Sequence, residues 1–146
     1  MTNPIAPIGG SIVVGPSRIG GRGLFSAKPR AARDVLMIIG GEVISAEEAT
    51  RRERDENNWT IYWHSDHRCL DTARTEQARF LNHSCFPNAA TVRRDDDTLT
   101  LVASRDIAAG EEIVMDYDYD EIYDLCRRLN PLCAGAKCPR HPRTGG

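Results

Sequence analysis

Ala78-Arg79-Phe80-Leu81-Asn82-His83-Ser84-Cys85-Phe86-Pro87-Asn88 decides how this chain is read. The stretch sets a cation, an aromatic ring, an amide, an imidazole and a thiol almost side by side, a pattern with no common structural counterpart. Asparagine brings both a donor and an acceptor. His83, taken alone, has the plainer reading of a solvated or core histidine, and nothing beside it nominates a metal ligand or a general base.

Working outward, short strands surround this stretch. Downstream, Ala89 to Arg93 and Thr98 to Ala103 read as a hairpin about Asp95, Asp96 and Asp97. Gly110 ends a turn, a strand resumes over Glu112 to Tyr117, and Asp120 to Leu129 reads as helical until Asn130-Pro131 stops it. Upstream, Thr75 to Phe80 suits a short helix, and Cys69 to Asp71 and the aromatic, β-branched run Trp59 to Trp63 suit strands. Ser45-Ala46-Glu47-Glu48 is a capping box that predicts a helix over 46–56, mostly solvated through Arg51, Arg52, Arg54, Asp55 and Glu56. Val35 to Ile39 reads as a buried strand, broken by Gly40-Gly41 before Glu42 to Ile44. Ser11 to Gly15 and Leu24-Phe25 are short strands joined through a Gly20 to Gly23 turn. The sum is a mainly β domain, α+β with few short helices, without the strand–helix alternation of a doubly wound sheet.

At 146 residues the chain fits one domain, whose core can bury about two-thirds of the unfolded surface. Hydrophobic residues at 40% and charged residues at 27% match the soluble globular norm. A net charge of −2 carries no nucleic-acid signature, and no apolar run reaches the length of a membrane span. Residues 1–14 lack a secretory pattern, so the expectation is an intracellular, cytoplasmic protein, with a secreted effector acting in a host nucleus left open. Five cysteines, an odd number, argue against a disulfide framework, and the three in the last 21 residues suggest metal before redox chemistry.

Gly21-Arg22-Gly23 invites a dinucleotide-loop reading that fails. The third glycine would fall at position 26, which is Ser26, and Pro29 interrupts the helix the loop must open. A tight turn is the simple alternative.

Three segments, in order, resemble the SET-domain family of protein lysine methyltransferases: Gly21 to Phe25 ahead of Gly41-Glu42-Val43-Ile44; Ala78 to Asn88; and Gly110-Glu111-Glu112-Ile113-Val114-Met115-Asp116-Tyr117. The likeness is to a small, single-domain, bacterial-type member. It implies a SET-domain β-clip-like fold with a C-terminal pseudoknot, in which the last strand passes under Asn82 to Cys85. Such threading is rare. It also implies boundaries: an extension over 1–10, a SET domain over 11–120 with a variable insert over 45–68, and a post-SET-like tail over 121–146.

The resemblance further implies an S-adenosylmethionine-dependent protein-lysine N-methyltransferase with two clefts joined by a narrow channel. Tyr117 takes the catalytic position, where it positions and stabilises the transferring methyl; a phenol near pKa 10 is a poor base at neutral pH. Asn82 and His83 grip the cofactor. Gly21, Arg22, Gly23 and Leu24 pass close to it, with Arg22 toward its carboxylate, and Arg79 and Phe80 flank it, with Arg79 pairing a carboxylate or, equally, forming a surface ion pair. Tyr62, Trp63, Met115 and Tyr119 border the lysine channel, core packing being the alternative for Tyr62 and Trp63. Relatives often carry an aromatic where Met115 stands, which leaves the number of methyl groups open.

Relatives with such a tail hold one structural zinc. By that resemblance Cys85, Cys126, Cys133 and Cys138 supply four thiolates, with His141 a substitute, although the usual first tail position is Pro131 and Cys126 must reach from upstream. Free thiols in a metal-free tail are the alternative. Asp116, Asp118, Asp120, Glu121 and Asp124 form an acidic rim that favours a lysine-containing, basic, histone-like protein or peptide, or else a solvated charge run. The sequence carries no signal for oligomerisation. The competing functions are a catalytically silent SET-like module that binds basic peptides and a zinc-stabilised interaction protein.

Overall fold

The computed structural model describes residues 11–19, 21–58 and 60–117. It contains ten strands: β1 (Ile12–Pro16), β2 (Arg22–Ser26), β3 (Val35–Ile39), β4 (Glu42–Ser45), β5 (Ile61–Ser65), β6 (Arg68–Asp71), β7 (Asn82–His83), β8 (Ala89–Arg93), β9 (Leu99–Ala103) and β10 (Glu112–Met115). One helix, α1 (Ala46–Glu56), and one 3₁₀ turn, Ala78–Phe80, accompany them. The expected mainly β character and the 46–56 helix are therefore present, while the short helix read over Thr75 to Phe80 contracts to a single turn.

The strands form a seven-stranded sheet in the order β1-β2-β10-β8-β9-β3, with β7 also on β10, and a three-stranded sheet β4-β6-β5. Leu24, Leu36, Ile39, Leu81, Leu101, Ile107 and Ile113 are fully buried in the main core, each contributing about 1.5–3 kcal/mol by leaving water. Alternation sets these faces: Leu99, Leu101 and Ala103 of β9 point inward, and Thr100 and Val102 between them are half-buried.

β10 is the pivot. It pairs antiparallel with β2 through Glu112↔Phe25 and Ile113↔Leu24, then parallel with β7 through Val114↔Asn82 and Met115↔His83, and with β8 through Met115↔Ala89. Successive carbonyls of a strand face opposite edges. The Met115 carbonyl accepts from the Ser84 N–H at 3.0 Å and the Val114 carbonyl from the Asn88 N–H at 3.2 Å, so residues 84–88 arch across β10 from one edge to the other.

The insert is built differently. Ser45 caps α1, its Oγ accepting from the Glu48 N–H at 3.0 Å, and Asn57 closes it in the left-handed conformation at φ 54°. The Glu48 carboxylate turns to Arg51 and Arg52, so only half of the capping box forms. Arg52 also departs from the solvated face read from sequence: 17% exposed, it reaches Glu42, Glu48 and Asp71, each at 2.8 Å. Asp71 is buried and also accepts from Asn58 Nδ2 at 2.9 Å. Burial raises its pKa, but the Ala73 N–H, Arg52 and Asn58 outweigh that and hold it below the ordinary carboxylate value.

Candidate active site

Tyr117 follows β10 directly, and the arch decides what it meets. Its backbone N–H donates to His83 Nδ1 at 3.0 Å across 34 residues of sequence. Its hydroxyl donates to the Leu81 carbonyl. The ring stands edge-on to His83 at 5.3 Å and to Tyr62 at 6.3 Å. Tyr62 in turn donates its hydroxyl to the Ala78 carbonyl at 3.0 Å. Two phenols are thus moored to the 78–81 backbone. Burial pushes both above the usual phenol range, so each is a neutral O–H donor at neutral pH.

His83 is buried, and its Nδ1 must be unprotonated to accept from Tyr117. The neutral ring then carries its proton on Nε2, which lies 3.5 Å from the Cys85 thiol. Asp116 is 3.8 Å from Nδ1. This is a brace between two chain segments.

Asn82 is oriented just as firmly. Its amide nitrogen donates to the Arg22 carbonyl and to Glu112 Oε2, both at 2.9 Å. Both neighbours can only accept, so Nδ2 faces them and Oδ1 is turned away. Gly21 has φ +55°, as the β1–β2 turn requires, while a Cβ on Gly23 would lie 2.2 Å from Glu112 Oε2. The close approach at Gly23 is thus to the Glu112 and Asn82 side chains. Among the described residues no donor reaches Asn82 Oδ1, which leaves an acceptor beside a glycine-flanked turn, a fit for a cationic amino head group.

A cleft of about 450 Å³ lies beside Tyr117, lined by Tyr62, Trp63, Pro87, Met115, Glu53 and Asp116 among others. Tyr62, Trp63 and Met115 therefore come together with Tyr117. They are not equivalent: Tyr62 is buried in the core, whereas Trp63 is 51% exposed. Gly21 to Leu24 and Asn82 do not line this cleft; Tyr117 lines it and bonds Leu81 and His83, the two neighbours of Asn82 in sequence.

Arg79 pairs no carboxylate among the described residues; it is exposed and lies over the Phe80 ring at 4.4 Å, because no acidic side chain is placed on that turn. The Leu24 side chain is fully buried in the core, so only its backbone is available to a ligand. Tyr119, Cys126, Cys133, Cys138, His141, Asp118, Asp120, Glu121 and Asp124 lie outside the described residues. Cys85 is buried, and no group of three or more metal-ligating side chains occurs among the described residues. Cys69 is buried too, which pushes its thiol up to about 11 and leaves it unreactive.

Three further residues went unread. Asn88 is fully buried; its Oδ1 accepts from the Val114 N–H at 2.9 Å and its Nδ2 donates to the Glu112 carbonyl at 2.8 Å, completing the edge of β10. Glu112 and Ser17 join at 2.8 Å. The available signal was an amide and a carboxylate directly beside apolar runs, Asn88 before Ala89-Ala90 and Glu112 before Ile113 to Met115, where a polar side chain needs partners.

Residues 21–118 match the SET domain family. Over 118 residues the chain is 36% identical to the Histone-lysine N-methyltransferase 2D of Homo sapiens, covering 75% of this chain and 2% of that protein. It is 32% identical over 133 residues to the Histone-lysine N-methyltransferase, H3 lysine-4 specific, of Schizosaccharomyces pombe, covering 85% of this chain and 14% of that one. It therefore spans a small fraction of these relatives. A solved humanized mutant of the Chaetomium thermophilum Polycomb Repressive Complex 2, bound to the inhibitor GSK126, superposes with a TM-score of 0.63 at 26% identity, over 73% of this chain and 15% of that one. With the arch, the moored tyrosine and the matched span agreeing, the chain belongs to the SET-domain family.

Proposed function

We propose that this chain transfers methyl groups from S-adenosylmethionine to lysine side chains of a basic protein or peptide. The observation that carries the reading is Tyr117, held by His83 and Leu81 on one side while it lines the cleft on the other. S-adenosylmethionine, when bound, supplies an electrophilic methyl group on a sulfonium. Asn82 Oδ1 and the Gly21–Gly23 backbone are the groups that would hold its amino-acid end.

The nucleophile must be a neutral amine, and free lysine, with a pKa near 10.4, is neutral in only about one molecule in 2,500 at pH 7. Tyr62, Met115 and Tyr117 offer the target side chain largely apolar walls, which disfavour its ammonium form and keep water out. Tyr117, a neutral phenol locked by its carbonyl partner, orients the amine rather than taking its proton. Glu53 and Asp116 line the same cleft and favour a basic substrate on the way in.

The test is incubation with labelled cofactor and a panel of basic proteins, followed by mapping of modified residues. Transfer to lysine in the wild type, lost in Tyr117→Phe, is expected. No transfer to any lysine-rich protein, with cofactor bound, would leave the silent-module alternative. We extend the proposal to one structural zinc in the tail, of whose candidate ligands Cys85 is among the described residues. Metal analysis of protein purified under reducing conditions tests it, and absence of zinc ends it.

A further inference from the structure

Glu112 opens β10 with its carboxylate turned toward β1, β2 and β7. Ser17 Oγ donates to both of its oxygens, at 2.8 and 3.0 Å, across 95 residues of sequence. Asn82 Nδ2 donates to Oε2 at 2.9 Å, and the Gly23 backbone packs closely against it: a Cβ there would stand 2.2 Å away and displace the carboxylate. Ser17 also fixes the turn that follows it: its N–H donates to the Gly21 carbonyl at 2.9 Å and its Oγ accepts from the Ile19 N–H at 3.0 Å. One carboxylate thereby gathers the β1–β2 turn, β2 and β7 around the strand that leads to Tyr117. Its partners are neutral donors; among the described residues no lysine or arginine pairs with it.

The bonding has a directional consequence. An asparagine with no fixed neighbour presents either end of its amide. Here Glu112 and the Arg22 carbonyl, both acceptors, claim the nitrogen end. We propose that Glu112 is a positioning residue that makes Asn82 present its oxygen, and holds the Ser17–Gly23 turn in register, so that the site selects the cationic amino head group of the cofactor. The inference rests on the methyltransferase reading and adds to it a residue that does not touch the reacting atoms.

Calorimetric titration of S-adenosylmethionine into wild type, Glu112→Ala, Glu112→Gln, Asn82→Asp and the double variant Asn82→Asp/Glu112→Gln tests it, with substrate KM measured at saturating cofactor. Glu112→Ala is expected to weaken cofactor binding about 10-fold or more while the protein-substrate KM changes less than about twofold. Glu112→Gln keeps a carbonyl to accept from Asn82 and an amide to donate to Ser17, so its affinity should stay within about threefold of wild type. Asn82→Asp sets two carboxylates against each other and should bind weakly. In the double variant the amide introduced at position 112 donates to the carboxylate introduced at position 82, which should restore at least about fivefold of that loss.

A Glu112→Ala protein with wild-type affinity overturns the proposal. So do equal losses in cofactor affinity and substrate KM, the mark of a general structural defect, and so does a double variant no better than Asn82→Asp. Should Glu112→Ala fail to fold, the comparison of Asn82→Asp with the double variant still decides. A wild-type protein that binds no cofactor removes the methyltransferase reading itself; a wild type that binds, with variants that do not differ, removes the role of Glu112 alone.

Discussion

Around β10, residues 78–88 and 112–117 are fastened by backbone pairing and mostly neutral hydrogen bonds over an apolar core, whereas α1 and the sheet β4-β6-β5 are fastened largely by charge. The first region buries Leu81, Ile113 and Asn88 completely; the second has a small core of Ile44, Ala49 and Cys69 under a helix whose one buried residue is Ala49. The contrast teaches where this domain can vary. Hydrogen bonds inside a core fix distances at Tyr117 with little dependence on salt. A network centred on Arg52 holds an insert whose helix surface faces solvent.

The sharpest way to break the comparison is at its rigid end. Tyr117→Phe should leave the fold and cofactor binding largely intact but slow methyl transfer by about 100-fold or more, about 3 kcal/mol in the barrier. Turnover measured at saturating substrates checks this, and an unchanged rate would strip the phenol of its role.

Asn88→Ala should cost about 2–3 kcal/mol, since it orphans the Val114 N–H and the Glu112 carbonyl inside the core. Denaturant unfolding reads the loss. A variant as stable as wild type would mean that the arch closes by backbone pairing alone.

Arg52→Met addresses the charged region. It leaves the buried Asp71 carboxylate without its ion partner and should cost about 2 kcal/mol, discounted from a fully buried pair because Arg52 is 17% exposed. The loss should be local: hydrogen exchange should quicken in α1 and β6 and stay slow in β10.

Acid should separate the regions in the same way. Arg51 first, then Arg52, lowers Glu48 to about 2, and Asp71 is held low as well. Carboxylates with depressed folded pKa values stabilise fully above their unfolded values near 4, and that stabilisation is lost as the pH falls from about 4 toward 2. Exchange at about pH 3 should therefore release α1 before β10, and simultaneous release would count against two distinct regions. The smallest effect belongs to Ser45→Ala, about 1 kcal/mol through the lost cap, seen as fraying of the first turn of α1.

Much of this was legible in the sequence. The apolar run ended by Gly40-Gly41 marked β3, the hairpin about Asp95 to Asp97 marked β8 and β9, and the cap Ser45 with Glu48 placed α1 to the residue. Tyr117, Asn82 and His83 were legible as a constellation through the resemblance, and their meeting follows from the arch. What was not legible was orientation. Nothing in a linear string says that Asn82 turns its nitrogen inward, that Leu24 spends its side chain on the core, or that Arg79 lies on Phe80. The first depends on a partner 30 residues away, Glu112. Arg52 escaped for the same reason: its charge reads as solvated until Asp71 arrives from β6.

The arch over β10 also sets a schedule. Residues 84–88 leave the ribosome well before Val114 and Met115, the strand they must straddle, so the loop waits open until its occupant is synthesised. Closure joins segments distant in sequence, the kind of contact that is slow to form. The pocket around Tyr117 is thus completed only once β10 has been made, and a nascent chain halted before residue 114 carries every residue of the 78–88 stretch without that pocket.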